Sequence, residues 1–201
     1  MAFFLSKEKK GYKRYIFFYA LFLILNTSLT GYFTYTLNND TLLFINEIIY
    51  TPTEFTFFSL IFLQIFTTTT NKTIVKYGFL LFYISWLVLF LLKGHNNFDS
   101  LAVALEEFFI IGYSIRYFYE RLSTIDTLFL YATSSFWAVV GMLIYSAGTF
   151  FIYLFADNWW DDAMFASQYR FIHIFTSIIK NIILSLSILI FEKKEQLLKY
   201  Q

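Results

Sequence analysis

Six apolar segments, each long enough to cross a lipid bilayer, follow one another along this chain and limit its fold more than any other feature. A helix that spans ~30 Å of hydrocarbon needs ~20 mainly apolar residues. Because backbone polar groups must be paired inside the hydrocarbon layer, such segments cross it as helices. We therefore predict an all-α, polytopic helical bundle that forms a single membrane domain over residues 1–201. The predicted spans are residues 15–37, 42–66, 74–92, 101–119, 128–155 and 171–191.

The composition agrees with a membrane location. Of the residues, 58% are hydrophobic and 24% aromatic, and the mean hydropathy is +0.59. These values lie outside the range of soluble domains. The absence of cysteine excludes disulfides, thiolate metal sites and a cysteine nucleophile. Basic residues precede the first apolar segment, as in a signal peptide. That segment is too long and has no small-residue cleavage site, so we expect it to remain as the first span.

Basic residues are divided unevenly between the predicted connections. With six spans, one side of the membrane receives twelve of the fifteen Lys and Arg residues, whereas the other receives only Lys93 and Arg170. The remaining one, Lys180, falls inside the last span. Cytoplasmic loops carry an excess of Lys and Arg, so the basic side is predicted to be cytoplasmic. Because removing one span would mix the two sets, the charges favour six spans with both termini in the cytoplasm.

Ionisable residues inside the predicted spans form the candidate site, because a charge at the centre of a transmembrane helix costs a few kcal/mol. With a rise of ~1.5 Å per residue, Glu54 is expected ~18 Å and Lys180 ~14 Å from the outer face, and the other acids at ~8–9 Å. All of them would then lie in the outer half of the bundle. The set comprises Glu47, Glu54, Glu106, Glu107, His173 and Lys180.

Two interpretations of this set stay open. In the first, the residues face a hydrated chamber with more carboxylates than cations, which would bind a cation or carry protons. In the second, they are structural. Lys180 then pairs with one glutamate or extends towards the interface, and His173 is a hydrogen-bonded rim residue. Glu47 then belongs to a surface segment before Pro52, where the helix is expected to kink or to begin.

Small and hydroxyl-bearing residues predict two further features. Gly141 and Gly148 lie seven residues apart, hence on one face of the fifth span, which favours close contact with another helix or with a second copy of the chain. Residues 67–70 are four threonines. We expect them to end a helix, with their hydroxyls bonded to free backbone carbonyls.

One short motif invites an enzymatic interpretation. The segment from Glu106-Glu107 to Ile111-Gly112 resembles the Glu-Glu-x-x-x-Arg-Gly motif of prenyl-protein-type intramembrane proteases. That resemblance implies a metal site with two histidines on later helices and a glutamate that activates water. Here Ile111 occupies the arginine position, and Val140 stands where a histidine is expected, which leaves only His173. We therefore expect no catalytic residue, no metal and no cofactor, and at most a degenerate relative of that family.

The length, the six spans, the basic N-terminus and the Phe-, Ile-, Lys- and Asn-rich composition together resemble a group of bacterial membrane proteins. These are accessory proteins that Bacteroidetes-type bacteria encode beside RNA-targeting CRISPR nucleases of the type VI-B kind. The resemblance implies a non-enzymatic, multi-pass inner-membrane protein in antiviral defence. It would act as an oligomeric pore that perturbs the membrane, or by modulating a cytoplasmic protein partner, without binding nucleic acid directly. A small cation- or proton-coupled transporter or sensor is the alternative.

Overall fold

The structure, a computed structural model, describes residues 11–37, 40–93, 98–123, 130–159 and 163–190. Within these ranges the protein is an all-α bundle of six long helices, which confirms the all-α part of the prediction, and each predicted span corresponds to one helix. Three features of the prediction lie outside the described residues. They are the basic cluster at residues 7–10, residues 128–129 of the fifth predicted span and the basic tail from residue 191. The helices are α1 (Tyr12–Tyr32), α2 (Asp40–Ile65), α3 (Thr69–Lys93), α4 (Phe98–Leu122), α5 (Ser134–Trp159) and α6 (Ala163–Leu189). A π-helical turn, Phe33–Leu37, extends α1, and a 3₁₀ turn, Leu130–Ala132, precedes α5.

Five of the described helices, α1, α2, α3, α5 and α6, are long and apolar enough to cross a membrane. Helix α4 differs because it carries charged residues in its central turns, and its two faces have opposite character. Phe108, Ile115 and Tyr119 are exposed on one face, whereas Glu106 and Glu107 are buried on the other. Helix α4 is therefore amphipathic, with its apolar face outward and its acids towards the other helices.

The bundle has the reverse of the polarity that a soluble protein shows. Glu54, Glu106 and Lys180 are at most 2% exposed, whereas Leu92 on α3 is 78% exposed and Phe171 on α6 is 69% exposed. Contiguous apolar patches of this kind mark surfaces that contact a membrane or another protein. The interior between the helices is largely aromatic. Its fully buried rings include Tyr19, Phe55, Phe58, Phe62, Phe66, Phe82, Tyr117 and Tyr145.

At one end of the bundle, polar contacts connect the starts of α1 and α5 to the end of α6. The Lys13 ammonium, at the start of α1, donates a 2.9 Å hydrogen bond to the carbonyl of Ile190, just after α6. The hydroxyl of Ser134, at the start of α5, donates to the carbonyl of Ser187 near the end of α6. Helices α1 and α5 therefore begin where α6 ends, at one end of the bundle. We call this end of the bundle the basic end. The described basic residues there are Lys13, Arg14, Lys72, Lys76, Arg116 and Arg121.

Glu120, near the end of α4, holds the turn between α2 and α3 at this basic end. Its Oε1 accepts a 2.8 Å hydrogen bond from the backbone N–H of Thr67 and a second from the Thr67 hydroxyl. Its Oε2 accepts hydrogen bonds from the Thr68 hydroxyl, at 2.8 Å, and from the Asn71 amide. Arg116 in turn donates to Asn71 Oδ1 at 2.9 Å. The expectation that these threonine hydroxyls bond to free carbonyls is wrong for Thr67 and Thr68, because α4 supplies a carboxylate beside them.

The two glycines of the fifth span allow α5 to approach α6 closely. A Cβ atom at Gly148 would lie 2.6 Å from Thr176 Cγ2, and a Cβ atom at Gly141 would lie 3.1 Å from Ile183 Cγ2. Both contacts are with α6 of the same chain. The predicted close helix contact is therefore made within one chain, between α5 and α6, and the alternative of contact with a second copy stays a prediction.

We expect Gly148→Val to lower the free energy of unfolding by ~1–3 kcal/mol, because the new side chain overlaps Thr176 in a packed interface. The control is Gly112→Val, since nothing lies within 4 Å of a Cβ atom built at Gly112, which is exposed. Unfolding of the two variants in mixed micelles by a denaturing detergent gives the comparison. An equal loss at both positions would contradict the described α5–α6 contact.

Candidate functional site

An ion pair between α2 and α6 lies at the centre of the bundle. Lys180 Nζ is 2.7 Å from Glu54 Oε1, and the two side chains are only 2% and 3% exposed. The hydroxyl of Tyr19, on α1, donates a hydrogen bond to Glu54 Oε1. The same hydroxyl oxygen accepts a 2.7 Å hydrogen bond from Lys180 Nζ. The first two helices and the last helix thus meet in one closed set of hydrogen bonds.

Aromatic rings enclose the ammonium group of Lys180. Its Nζ atom lies 3.4 Å from the ring centroid of Tyr145 on α5 and 5.3 Å from the centroids of Tyr19 and Phe58. A cation over an aromatic face is attracted by the ring's negative quadrupole, most strongly where water is excluded. One carboxylate and these ring faces therefore compensate the charge, and the side chain does not extend towards the interface.

Helix α4 adds two further carboxyl groups. Glu106 and Glu107 are each 1% exposed. Glu107 Oε1 accepts a 3.0 Å hydrogen bond from the Thr149 hydroxyl on α5, and the charges of both Glu54 and Lys180 act on Glu107. Glu106 interacts electrostatically with Tyr19. Glu54 and Lys180 are in direct contact, and Glu107 and Glu106 are buried within electrostatic range of that pair or of Tyr19. We call these four of the six residues singled out by the sequence, Glu54, Glu106, Glu107 and Lys180, the charged centre.

The other two residues lie outside this set. His173 packs among tyrosine rings near the start of α6, with its ring parallel to that of Tyr169 and their centroids 6.0 Å apart. It is within electrostatic reach of Glu54 and Lys180 but makes no described hydrogen bond to either. Glu47 is exposed. Its helix continues unbroken through Pro52, and α1 contacts α2 at the neighbouring Asn46, so it is the side chain of Glu47, not the helix, that points away from this contact.

Sequence reasoning missed the tyrosines and hydroxyls that complete the centre. Tyr19 and Tyr145 are two of sixteen tyrosines in the chain, and no local signal separates them from those at the surface. Thr149 is on the same face of α5 as Tyr145, and its hydroxyl lies 2.8 Å from the Tyr145 carbonyl. A single span cannot indicate which of its hydroxyls will face an acid on another helix. These partners are defined only by the packing.

The arrangement is a buried polar centre with more carboxyl groups than ammonium groups. Among the described residues, no three or more His, Asp or Glu side chains are grouped so that they could hold a metal ion. The centre sets three carboxyl groups against one ammonium group. Since an isolated charge is very unfavourable in an apolar interior, the carboxyl groups in excess must bind protons or cations.

The fold and the centre together define a class of protein. It is an all-α bundle with five helices apolar enough to span a membrane and with charged side chains enclosed between helices. No protein-family model matches the chain, and no match is found among curated proteins or solved structures. The argument for its function therefore starts from the charged centre and from the surface around it.

Proposed function

We propose that this chain is a non-enzymatic, multi-pass protein of a bacterial inner membrane. The observation that carries the proposal is the reversed polarity of the bundle, with Glu54 and Lys180 enclosed while Leu92 and Phe171 are exposed. In water this surface would be a large unpartnered apolar patch. In a bilayer the same surface contacts lipid tails, and the ionisable groups face the bundle interior, as they do in membrane proteins generally.

The amphipathic character of α4 supports six spans rather than five. Its exposed stripe of Phe108, Ile115 and Tyr119 suits contact with lipid, while its acids are enclosed by neighbouring helices. With six spans, the basic end of the bundle faces one side of the membrane. Under the positive-inside rule that side is the cytoplasm, and both termini lie there.

Thiol labelling tests this topology, because the chain contains no cysteine and gives no background. Thr70, at the basic end, and Met164, near the start of α6, are both exposed. In intact spheroplasts, a membrane-impermeant maleimide is expected to label Met164→Cys at once. Thr70→Cys should be labelled only after the membrane is permeabilised. Labelling of both sites from the same side would contradict the topology.

The role we propose is that of a membrane partner in antiviral defence, acting on a cytoplasmic protein. The support is the resemblance in length, spans, basic N-terminus and composition to accessory proteins encoded beside RNA-targeting nucleases. The basic end suits contact with a cytoplasmic partner or with anionic lipid. Plaque counts in a strain that expresses an RNA-targeting nuclease of that kind, with and without this chain, test the role. Identical phage restriction in the two strains would contradict it.

An oligomeric pore is the other form of this role, and the charged centre argues against a lumen lined by its acids. Glu54, Glu106 and Glu107 are enclosed by helices of a single chain. They would have to leave that centre to line a channel between copies. We expect no ion flux from liposomes that contain the protein. An oligomer in detergent, together with flux that Glu106→Gln abolishes, would favour the pore.

A cation- or proton-coupled transporter or sensor is the second candidate, and the excess of carboxyl groups over ammonium groups in the charged centre favours it. In that case Glu54→Gln or Glu106→Gln should alter the dependence of transport or signalling on pH or cations. Glu47→Gln, at an exposed position of α2, is the matched control. Unchanged behaviour of both buried variants would remove this candidate.

A further inference from the structure

We infer that Glu107 is a proton-binding group of the charged centre, a neutral carboxylic acid whose O–H is directed to the hydroxyl of Ser146, unpartnered among the described residues, while Glu54 is paired with Lys180. The inference deepens the proton-coupled candidate. It also rests on the proposed membrane location, because lipid around the bundle keeps water away from the centre.

The two oxygens of Glu107 have different surroundings. Oε1 accepts the hydrogen bond from Thr149, whereas Oε2 is buried and makes no hydrogen bond among the described residues. The hydroxyl of Ser146 is also buried and also makes no hydrogen bond among the described residues. Ser146 and Thr149 are three residues apart and therefore lie on one face of α5. A neutral acid has one oxygen that accepts and one O–H that donates. Thr149, whose single O–H is shared between Glu107 Oε1 and the Tyr145 carbonyl, suits the first need, and Ser146 suits the second.

The charges around Glu107 also favour a neutral group. Lys180 is the one described ammonium in the centre, and Glu54 binds it directly at 2.7 Å. An ionised Glu107 would be a second buried negative charge near Glu54, and like charges in one site disfavour ionisation of both. The titratable and charged groups that act on Glu107 are Glu54 on α2, Tyr145 on α5 and Lys180 on α6. Around these, Tyr19, Tyr50 and His173 interact electrostatically with Glu54, and Glu106 interacts with Tyr19 and Tyr50.

A proton suits this site better than a metal cation. Hard cations such as Ca²⁺ and Mg²⁺ take about six or more oxygen ligands. Around Glu107 the described side chains offer the carboxyl group itself and two hydroxyls, from Ser146 and Thr149. A proton requires a single acceptor, and one is present.

Infrared spectroscopy tests the inference, because a protonated carboxylic acid has a carbonyl stretch distinct from that of a carboxylate. The wild-type protein, in vesicles of bacterial phospholipid at neutral pH, is expected to show this band, and Glu107→Gln to lose the component of the band that comes from residue 107. Ser146→Ala should keep the band but shift its frequency, because the acid loses its acceptor. Glu47→Gln should leave the band unchanged. Ser146→Ala keeps the test informative even if Glu107→Gln does not fold.

Three results would overturn the inference: no such band in the wild type, a band that neither Glu107→Gln nor Ser146→Ala changes, or a band lost when sodium is added at constant pH. The last result would assign the site to a cation. The thiol-labelling experiment separates these failures from failure of the proposed membrane topology. A correct topology without the band removes only the proton site, whereas wrong labelling removes the topology on which the site depends.

Discussion

Replacing Lys180 with methionine is expected to lower the free energy of unfolding by ~3–5 kcal/mol, the usual cost of removing one partner from a buried ion pair. Methionine has nearly the length of lysine, so the space between α2, α5 and α6 stays filled. Glu54, however, keeps its charge and loses the ammonium group 2.7 Å away. The loss therefore measures an uncompensated buried charge rather than a cavity. Denaturing-detergent titration in micelles gives the value.

A double variant identifies the cause of that loss. Glu54→Gln/Lys180→Met removes both charges, so most of the stability should return, and the two single losses should not add. Glu47→Gln, at an exposed site on the same helix, should change stability by less than ~0.5 kcal/mol. If the double variant loses the sum of the single losses, Glu54 and Lys180 do not act as a pair.

Glu120→Ala is expected to cost on the order of 2–4 kcal/mol, because hydrogen bonds to a charged group are among the stronger ones. The Glu120 side chain accepts four hydrogen bonds from the turn between α2 and α3. In the alanine variant all four donors lose this acceptor. The loss should appear as an earlier midpoint in the same detergent titration. A change below ~0.5 kcal/mol, the usual range for surface substitutions, would contradict the claim that Glu120 stabilises the turn between α2 and α3.

Glu120 lies just beyond the fourth predicted span, and its charge makes the stability of the fold depend on pH in a direction that can be stated. Desolvation raises the pKa of Glu120, but the hydrogen bonds from Thr67, Asn71 and Thr68 outweigh it and lower the pKa from 4.5 to about 2. Because the folded-state pKa is lower than the unfolded-state pKa, the stabilisation is complete above pH 4.5 and is lost as the pH falls towards 2. The stability difference between wild type and Glu120→Gln should therefore shrink across that interval. A difference that is constant with pH would show that the charge contributes nothing.

The helices could be predicted from sequence because they depend on local pattern, and the same pattern gives an expected depth for each ionisable group. Apolar runs of ~20 residues fix where spans lie. A constant rise per residue then put Lys180 and Glu54 at similar depths, ~14 and ~18 Å from the outer face. Those two residues are the ones that form the ion pair in the structure. Depth thus carried more information about the pairing than the Glu106-Glu107 motif did.

The partners of these groups could not be predicted, because they depend on how helices rotate and pack. Tyr19 and Lys180 are 161 residues apart, and Thr67 and Glu120 are 53 apart. When all faces of a helix are apolar, as on α1, the sequence pattern does not identify which face contacts another helix. The same reason explains why Glu47 and Glu54, on one face by spacing, differ in burial: the spacing does not indicate where neighbouring helices cover that face.

A nitroxide scan along α6 tests the central claim that charged groups face inward and apolar side chains face lipid. Single cysteines from residue 171 to residue 188 would carry spin labels in vesicles, with oxygen and a water-soluble nickel complex as the relaxing agents. The account predicts high oxygen accessibility at Phe171, Ile178 and Ile182, and protection from both agents at Thr176 and Lys180, with a helical period. A flat profile, or maximum oxygen accessibility at Lys180, would show that the charged side of α6 faces lipid and would contradict the account.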